Sequence, residues 1–486
     1  MEWLAWFDAR DYEFARQVLQ RGTAALFFVA FLSSLNQFPA LLGERGLLPV
    51  PGFLDLARRL GRPSVFLWRY SDSLLRAVCW AGITVSLLLV FGLPQTGPPW
   101  VPMLAFLALW ILYMSIVNVG QTFYGFGWES LLLEAGFTVA FLGSDRTAPP
   151  ATILILIVWL VFRLEFGAGM IKIRGGREWR DMTAMFYHHE TQPMPGPLSR
   201  QAHLLPRPLH KVEVIGNHFA QLVVPFFLFA PQPLAASAAA IIIVTQLWLV
   251  ATGNFAWLNW AAIVLAFAAV SDPVAHAVFP VIPLDWHPGA ESPVWWTGVV
   301  LAVTVLLLVL SYRPLLNLFS RQQLMNASFN KWRLVNAYGA FGTVTKQRIE
   351  IVVEGTMAKD PDAPDESWLE YGFKGKPGDP RRVPSQWAPY HLRLDWLMWF
   401  LPLRTVHEDW FYAFLNKLLQ ADPPTLRLLR HDPFDGDKPR WVRARSYLYR
   451  FASRAEFRET GNRWVRVPLY DAVPPLSLTS RRRRLL

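Results

Sequence analysis

Two carboxylates stand in a stretch that is otherwise apolar enough to cross a bilayer. They are Glu129 and Glu134, within Trp128-Glu129-Ser130-Leu131-Leu132-Leu133-Glu134-Ala135-Gly136. An ionised side chain near the bilayer centre costs roughly 2.5–3.5 kcal/mol, so each acid needs a partner. To work as a general acid and base they would have to face one another. On a helix advancing about 100° per residue, positions five apart differ by about 140°, so the two leave different faces. The next apolar segment supplies Arg163 and Glu165. The expected arrangement is an intramembrane charge network of Glu129, Glu134, Arg163 and Glu165, with Glu129 or Glu134 paired to Arg163 across neighbouring helices. A proton relay or a substrate site are the alternatives.

A second polar concentration follows. It holds Trp179, Asp181, Tyr187, His188, His189 and Glu190, then Pro193, Pro195 and Pro197. His188-His189-Glu190 has the residue types of a metal site, but adjacent side chains diverge on any regular element and neither HExxH nor a Cys/His spacing is present, so no metal is expected. The prolines fix turn and extended geometry, and a rigid polar loop packed at the membrane surface is expected. Such a loop could receive a peptide or present groups to a membrane cavity, with His210 and His218 lining the same space.

Other chemistries lack their motifs. There is no Gly-x-Ser-x-Gly elbow, hence no sign of a lipase or esterase nucleophile. Phe373-Lys374-Gly375-Lys376-Pro377-Gly378-Asp379 lacks the GxxxxGK[ST] order that aims amides at phosphate, and it is read as a basic hairpin loop. No cofactor is expected. The single cysteine, Cys79, excludes an intrachain disulfide. A net charge of +11 with 23 Trp suits a membrane protein with Arg-rich ends and interfacial indoles, so no nucleic acid is needed to explain it.

The elements that carry these residues fall into two parts. With 53% hydrophobic and 17% charged residues against about 25% charged in ordinary soluble chains, the chain reads as a polytopic α-helical membrane protein whose first partner is the lipid bilayer. Hydropathy predicts about nine spans, near 23–42, 74–94, 99–117, 123–143, 151–170, 214–230, 234–253, 255–271 and 292–312. Those between 214 and 271 are short and interrupted by Pro231, Pro233 and Gly253. Residues 171–213 form a long polar loop without evident secondary structure, a kind of segment that is usually functional. Composition changes after Arg313, which divides the chain into a transmembrane domain at 1–313 and a soluble domain at 314–486. Strands are expected at 348–354, 368–373 and 441–451 and helices at 392–403 and 408–420, giving a β-rich α+β domain with an antiparallel sheet. The basic tail Arg481-Arg482-Arg483-Arg484 is expected to be solvated.

Several long motifs stand out in the first part: Gly120-Gln121-Thr122-Phe123-Tyr124, Trp128 to Gly136, Phe162-Arg163-Leu164-Glu165-Phe166-Gly167-Ala168-Gly169-Met170-Ile171-Lys172, Trp179-Arg180-Asp181-Met182-Thr183-Ala184 and Tyr187 to Pro195. In the second part they are Asn336 to Gly342, Glu354-Gly355, Phe373 to Arg381 and Pro389 to Trp396. In this order they resemble the lipase maturation factor family. The resemblance implies a folding and maturation factor rather than an enzyme, with client proteins such as lipases or other exported enzymes. It also implies that the C-terminal domain contacts the client, with Tyr390, His391, Arg393, Asp395 and Trp396 as the candidates. A weaker similarity, Ala168-Gly169-Met170-Ile171-Lys172 followed by Trp179, is to vitamin K-dependent γ-glutamyl carboxylases. It implies the alternative of a membrane enzyme modifying a peptide or lipid with Lys172 as base. From the residues alone, Lys172 is expected to snorkel from a helix end into water.

The resemblance implies a polytopic protein whose eukaryotic members sit in the endoplasmic reticulum membrane. The short, cysteine-poor sequence rich in Arg, Ala, Leu and Trp points instead to a bacterial plasma membrane. Orientation is in tension. Lys and Arg concentrate in the loops at 43–73 and 171–213, which the positive-inside tendency makes cytoplasmic together with the C-terminal domain. The resemblance implies an exoplasmic C-terminal domain, and that orientation is the expectation.

Overall fold

A segment in hydrocarbon must satisfy its backbone groups internally, and long apolar runs do so as helices. The computed structural model describes residues 6–280, 290–403 and 408–478. Its first part is helical, with α1 (Glu13–Leu42), α2 (Asp72–Val90), α3 (Trp100–Val119), α4 (Gly127–Val139), α5 (Ala151–Arg174), α6 (Met185–Thr191), α7 (Arg207–Leu222), α8 (Leu234–Thr252), α9 (Leu258–Ala266), α10 (Asp272–Val278) and α11 (Val294–Phe319). Among the described residues, α1, α2, α3, α5, α8 and α11 are long and apolar enough to cross a membrane. A seventh span results if α9, its 3-10 extension to Ala269 and α10 are counted together, although that pair is bent by 116°.

The expected nine spans are therefore not found, and the reasons are local. The run at 123–143 yields only the 13-residue α4, every residue of which is buried. It packs against α1, α3, α5 and α9, so its apolar character reflects enclosure by protein on all sides. The run at 214–230 breaks at Val223, just before Pro225, into α7 and the single turn Val224–Phe227. The run at 255–271 yields only the nine-residue α9 and its 3-10 extension to Ala269, after which the chain bends into α10. The segment 171–213 is also not structureless, since it holds the turn Arg177–Arg180, α6, the turn Ser199–His203 and the start of α7.

The helix α11 continues to Phe319, past the composition change at Arg313, through an internal Pro314. Beyond it lie β1 (Arg348–Thr356), β2 (Leu369–Glu370), α12 (Arg393–Phe400), α13 (Asp409–Leu419), β3 (Trp441–Phe451) and β4 (Trp464–Leu476). The sheet is antiparallel in the order β2-β1-β3-β4. The strand β4 has no counterpart in the sequence-based expectation, because Pro468, Pro474 and Pro475 argue against a strand. It lies at an edge, where a missing N–H is tolerated. The tail at 481–484 lies outside the described residues.

One apolar core joins the two parts, running from Phe27 and Tyr113 through Trp128 and Trp257 to Trp396 and Phe411. Polar groups on α1 grip the chain leading into α12. Ser33 Oγ and Gln37 Nε2 donate to the His391 carbonyl at 3.0 and 2.7 Å, and Arg393 N donates to Gln37 Oε1 at 2.9 Å.

The close approach of α4 to α1 depends on Gly136, where a Cβ would run into the ring of Phe27. We expect Gly136→Val to cost about 1–3 kcal/mol by overpacking. The measurement is thermal melting in detergent, with a drop of several degrees for this variant. Gly298→Ala on α11, where nothing lies within 4 Å, is expected to leave the melting temperature unchanged.

Candidate functional site

The two glutamates reach different partners, and both partners involve the chain beyond the last spanning helix. From α4, Glu134 accepts from Arg163 Nη2 of α5. It also accepts from Asn336 N at 2.8 Å, Asn336 Nδ2 at 2.9 Å and the Tyr338 hydroxyl at 2.7 Å. Arg163 Nη1 closes the ring by donating to the Asn336 carbonyl at 2.7 Å. Glu129 accepts from Arg393 Nη1 at 2.7 Å and from the Tyr113 hydroxyl. Both Glu129 and Arg393 are 0% exposed. The Arg393 guanidinium also lies on the Tyr124 ring, 3.4 Å from its centroid, and donates to the Phe123 carbonyl at 2.8 Å.

Glu165 belongs to a third group. It accepts from Gln246 Nε2 of α8 at 2.6 Å and from Gln221 Nε2 of α7 at 3.3 Å. Lys172 Nζ donates to Gln221 Oε1 at 2.6 Å, so one amide stands between the acid and the ammonium. Asn259 of α9 donates to Gln246 Oε1 at 2.6 Å. Lys172 does not reach out to water: it is buried, with Nζ 5.0 Å from the centroid of the Trp179 ring. The seven-residue spacing of Glu165 and Lys172 puts them on one face of α5, and α7 supplies the amide that links them.

This third group borders a cavity of about 780 Å³. Its polar side is Glu165, Lys172, Gln221, Gln246 and Asn259, and its apolar wall includes Phe126, Trp128, Phe255, Trp396 and Trp399. A partly open space with aromatic walls and a cluster of amides around one ammonium suits an amphipathic occupant. The arrangement contains no nucleophile and base within hydrogen-bond reach of each other among its described polar residues.

The polar loop is held between the helices and the sheet. Arg348 of β1 donates to the carbonyls of Glu190 at 2.9 Å and Pro193 at 3.0 Å. Glu190 Oε2 accepts from the backbone N–H of Phe451 on β3 at 2.7 Å, and Trp179 Nε1 donates to the Phe341 carbonyl at 2.7 Å. His188 lines the cavity parallel to the Phe255 ring, and burial together with neighbouring His189 holds its pKa down to about 3, so it is neutral. Asp181 is exposed and accepts from Thr183 Oγ1 at 2.6 Å, while Tyr187 is half-buried. His189 turns away from His188 toward His210 and Glu213 of α7, and the three bring one ligand atom each within 4.8 Å of one another. Reasoning from adjacent residues misses this grouping, for which the signal is the three-residue spacing of His210 and Glu213 on a helix.

The residues expected to contact a client are mostly inaccessible. His391, Arg393, Asp395 and Trp396 are buried, and Tyr390 alone is half-buried. His391 lies edge-on among Phe126, Trp128, Trp257 and Trp396, and burial followed by the charge of Arg393 keeps it neutral. Asp395 accepts from the backbone N–H groups of Gly375 at 2.6 Å and Lys376 at 3.2 Å. The supposed basic hairpin is thereby tied down, with Lys376 buried against Glu350 at 2.8 Å. Arg393 and Asp395, two apart, hold opposite neighbours: one the helices, the other the loop before α12.

Comparison with known proteins is consistent along the whole chain. Residues 14–277 match the lipase maturation factor transmembrane domain and residues 334–474 match the lipase maturation factor C-terminal domain. The chain is 41% identical to Lipase maturation factor 1 of Bos taurus over 96% of its own length and 90% of that protein. It is 40% identical to Lipase maturation factor 1 of Homo sapiens over 95% of the chain and 88% of that protein, and 28% identical to Lipase maturation factor 2 of Homo sapiens over 95% and 82%. No solved structure gives a significant match.

Removing one member of the Glu129–Arg393 pair leaves the other charged and buried, which costs about 3–5 kcal/mol. Arg393→Met and Glu129→Leu are each expected to lower the melting temperature and the yield of folded protein sharply. The double variant should recover a large part of that loss. A double-mutant cycle in detergent measures it, and purely additive losses would exclude the coupling.

Proposed function

Because this chain belongs to the lipase maturation factor family, we propose that it is a multi-pass membrane factor that helps exported enzymes of the lipase class reach their active fold. The observation that carries this reading is that both parts of the chain match the family, in order and over nearly the full length. The membrane character rests on the six apolar helices. A bacterial plasma membrane is the proposed location, supported by the single cysteine and the Arg-, Ala-, Leu- and Trp-rich composition.

In this reading the sheet lies on the exoplasmic side, where an exported client folds. The tension with the positive-inside tendency eases because part of the charge at 171–213 is engaged within the fold. Arg174 donates to the Leu318 carbonyl at 2.8 Å and Arg200 to the Ala452 carbonyl at 2.8 Å. Such groups are not free to determine orientation by remaining on the cytoplasmic side. The surface offered to the client is the edge strand β4, whose Val467, Leu469 and Tyr470 are exposed. An unpaired strand edge with apolar side chains is a surface on which an unfinished chain can settle.

Deleting the gene in a cell that exports a lipase should lower the activity per amount of lipase protein severalfold, with lipase transcript unchanged. Unchanged specific activity would remove the maturation role. A photo-crosslinking residue at Leu469 is expected to capture the lipase during its synthesis, and the same residue at Asn462 is the comparison point off the strand. A reporter active only outside the cytoplasm, fused at the C-terminus, should give signal. Its silence would reverse the orientation.

A further inference from the structure

The helix α7 carries His210 and Glu213 on one face, and α6 turns His189 toward them. His189 Nε2 lies 3.2 Å from Glu213 Oε2, and His210 Nδ1 lies 3.7 Å from the same oxygen. Ligand atoms around a tetrahedral zinc at about 2.0–2.1 Å stand about 3.3 Å apart, close to the two separations from Glu213, and the three ligand atoms lie within 4.8 Å of one another. His189 is 0% exposed and His210 is 2% exposed.

The ring contacts of His210 leave one nitrogen free for a metal. His210 Nε2 lies 3.2 Å from the carbonyl oxygen of His203. A carbonyl only accepts, so Nε2 carries a proton and Nδ1 is the nitrogen turned toward Glu213. Nδ1 has no hydrogen-bond partner among the described residues, although His210 is buried. His189 can donate from Nε2 to Glu213, but this leaves Nδ1 of His210 without a partner. A cation held by all three groups would use it. The contact of His210 Nε2–H with a backbone carbonyl is also what fixes the ring of a metal-binding histidine. On the third group, Trp248 Nε1 donates to Glu213 Oε1 at 2.6 Å, which orients the carboxylate and leaves Oε2 for the cation.

We propose that His189, His210 and Glu213 form a binding site for a divalent first-row transition cation, with zinc as the best match to two imidazole nitrogens and one carboxylate oxygen. Three protein ligands leave a fourth coordination position. Glu213 and Trp248 also line the cavity, so the site borders the space described above. The cation ties α6 to α7, because each contributes ligands.

The test uses the full-length protein in detergent, purified through an affinity tag without histidine, stripped with a chelator and then titrated with zinc or cobalt. The expected result is about one equivalent of metal per chain, a rise in melting temperature on adding zinc, and the visible absorption of four-coordinate cobalt(II). His210→Gln should lose the absorption and the zinc-dependent rise while melting like the stripped wild-type protein. His276→Gln, an exposed histidine on α10, should retain both. Wild-type protein that takes up no metal and shows no zinc-dependent shift overturns the site, whatever the variants do. Equal cobalt absorption in His210→Gln overturns this ligand set.

Discussion

A carboxylate inside a membrane protein must find its compensation within the molecule, and this chain carries two on a helix that turns them apart. Water is excluded, so a charge on α4 has to be matched by a cation or several N–H and O–H groups at hydrogen-bond distance. Glu134 finds Arg163 on the next helix, then adds Asn336 and Tyr338. Glu129 finds its cation only at Arg393. The segment between the last spanning helix and the sheet, and the segment leading into α12, are therefore drawn into the helical part. The apolar core that runs from Phe27 to Phe411 spans the same two parts of the chain as these two anchors.

A second set of contacts works in the opposite direction and brings the helical part's own loop to the sheet. Arg348 on β1 and the backbone of Phe451 on β3 hold Glu190 and Pro193, and Arg200 reaches the carbonyl of Ala452. The cavity is formed where these two sets of contacts meet. Its amide and ammonium side comes from α5, α7, α8 and α9, while Trp396 and Trp399 come from α12. Neither part of the chain encloses it alone.

Legibility in the sequence followed the range of the interaction. Charges that cannot face lipid announce themselves, so Glu129, Glu134 and Arg163 can be singled out from composition and helical geometry alone. The partner of Glu129 could not be, because Arg393 is 264 positions away and nothing in a single sequence links them. Hydropathy overstates the number of spans for a related reason. It reports the removal of a segment from water without distinguishing lipid from protein, and α4 is surrounded by protein. The strands β1 and β3 are visible as β-branched and aromatic runs, whereas β4 is hidden by its prolines, which only an edge position permits. His189, His210 and Glu213 come from two helices and share no local motif, so their meeting is a property of the fold.

The pairing of Glu129 with Arg393 also has a consequence for synthesis. A nascent chain that has just completed α11 carries Glu129 before its guanidinium has been translated. The helical part cannot reach its final packing at that stage, and the last third of the polypeptide acts as a closing piece supplied from the far end. A ribosome that terminates early leaves that acid without its buried cation, and the copy with one of its two anchors unmade.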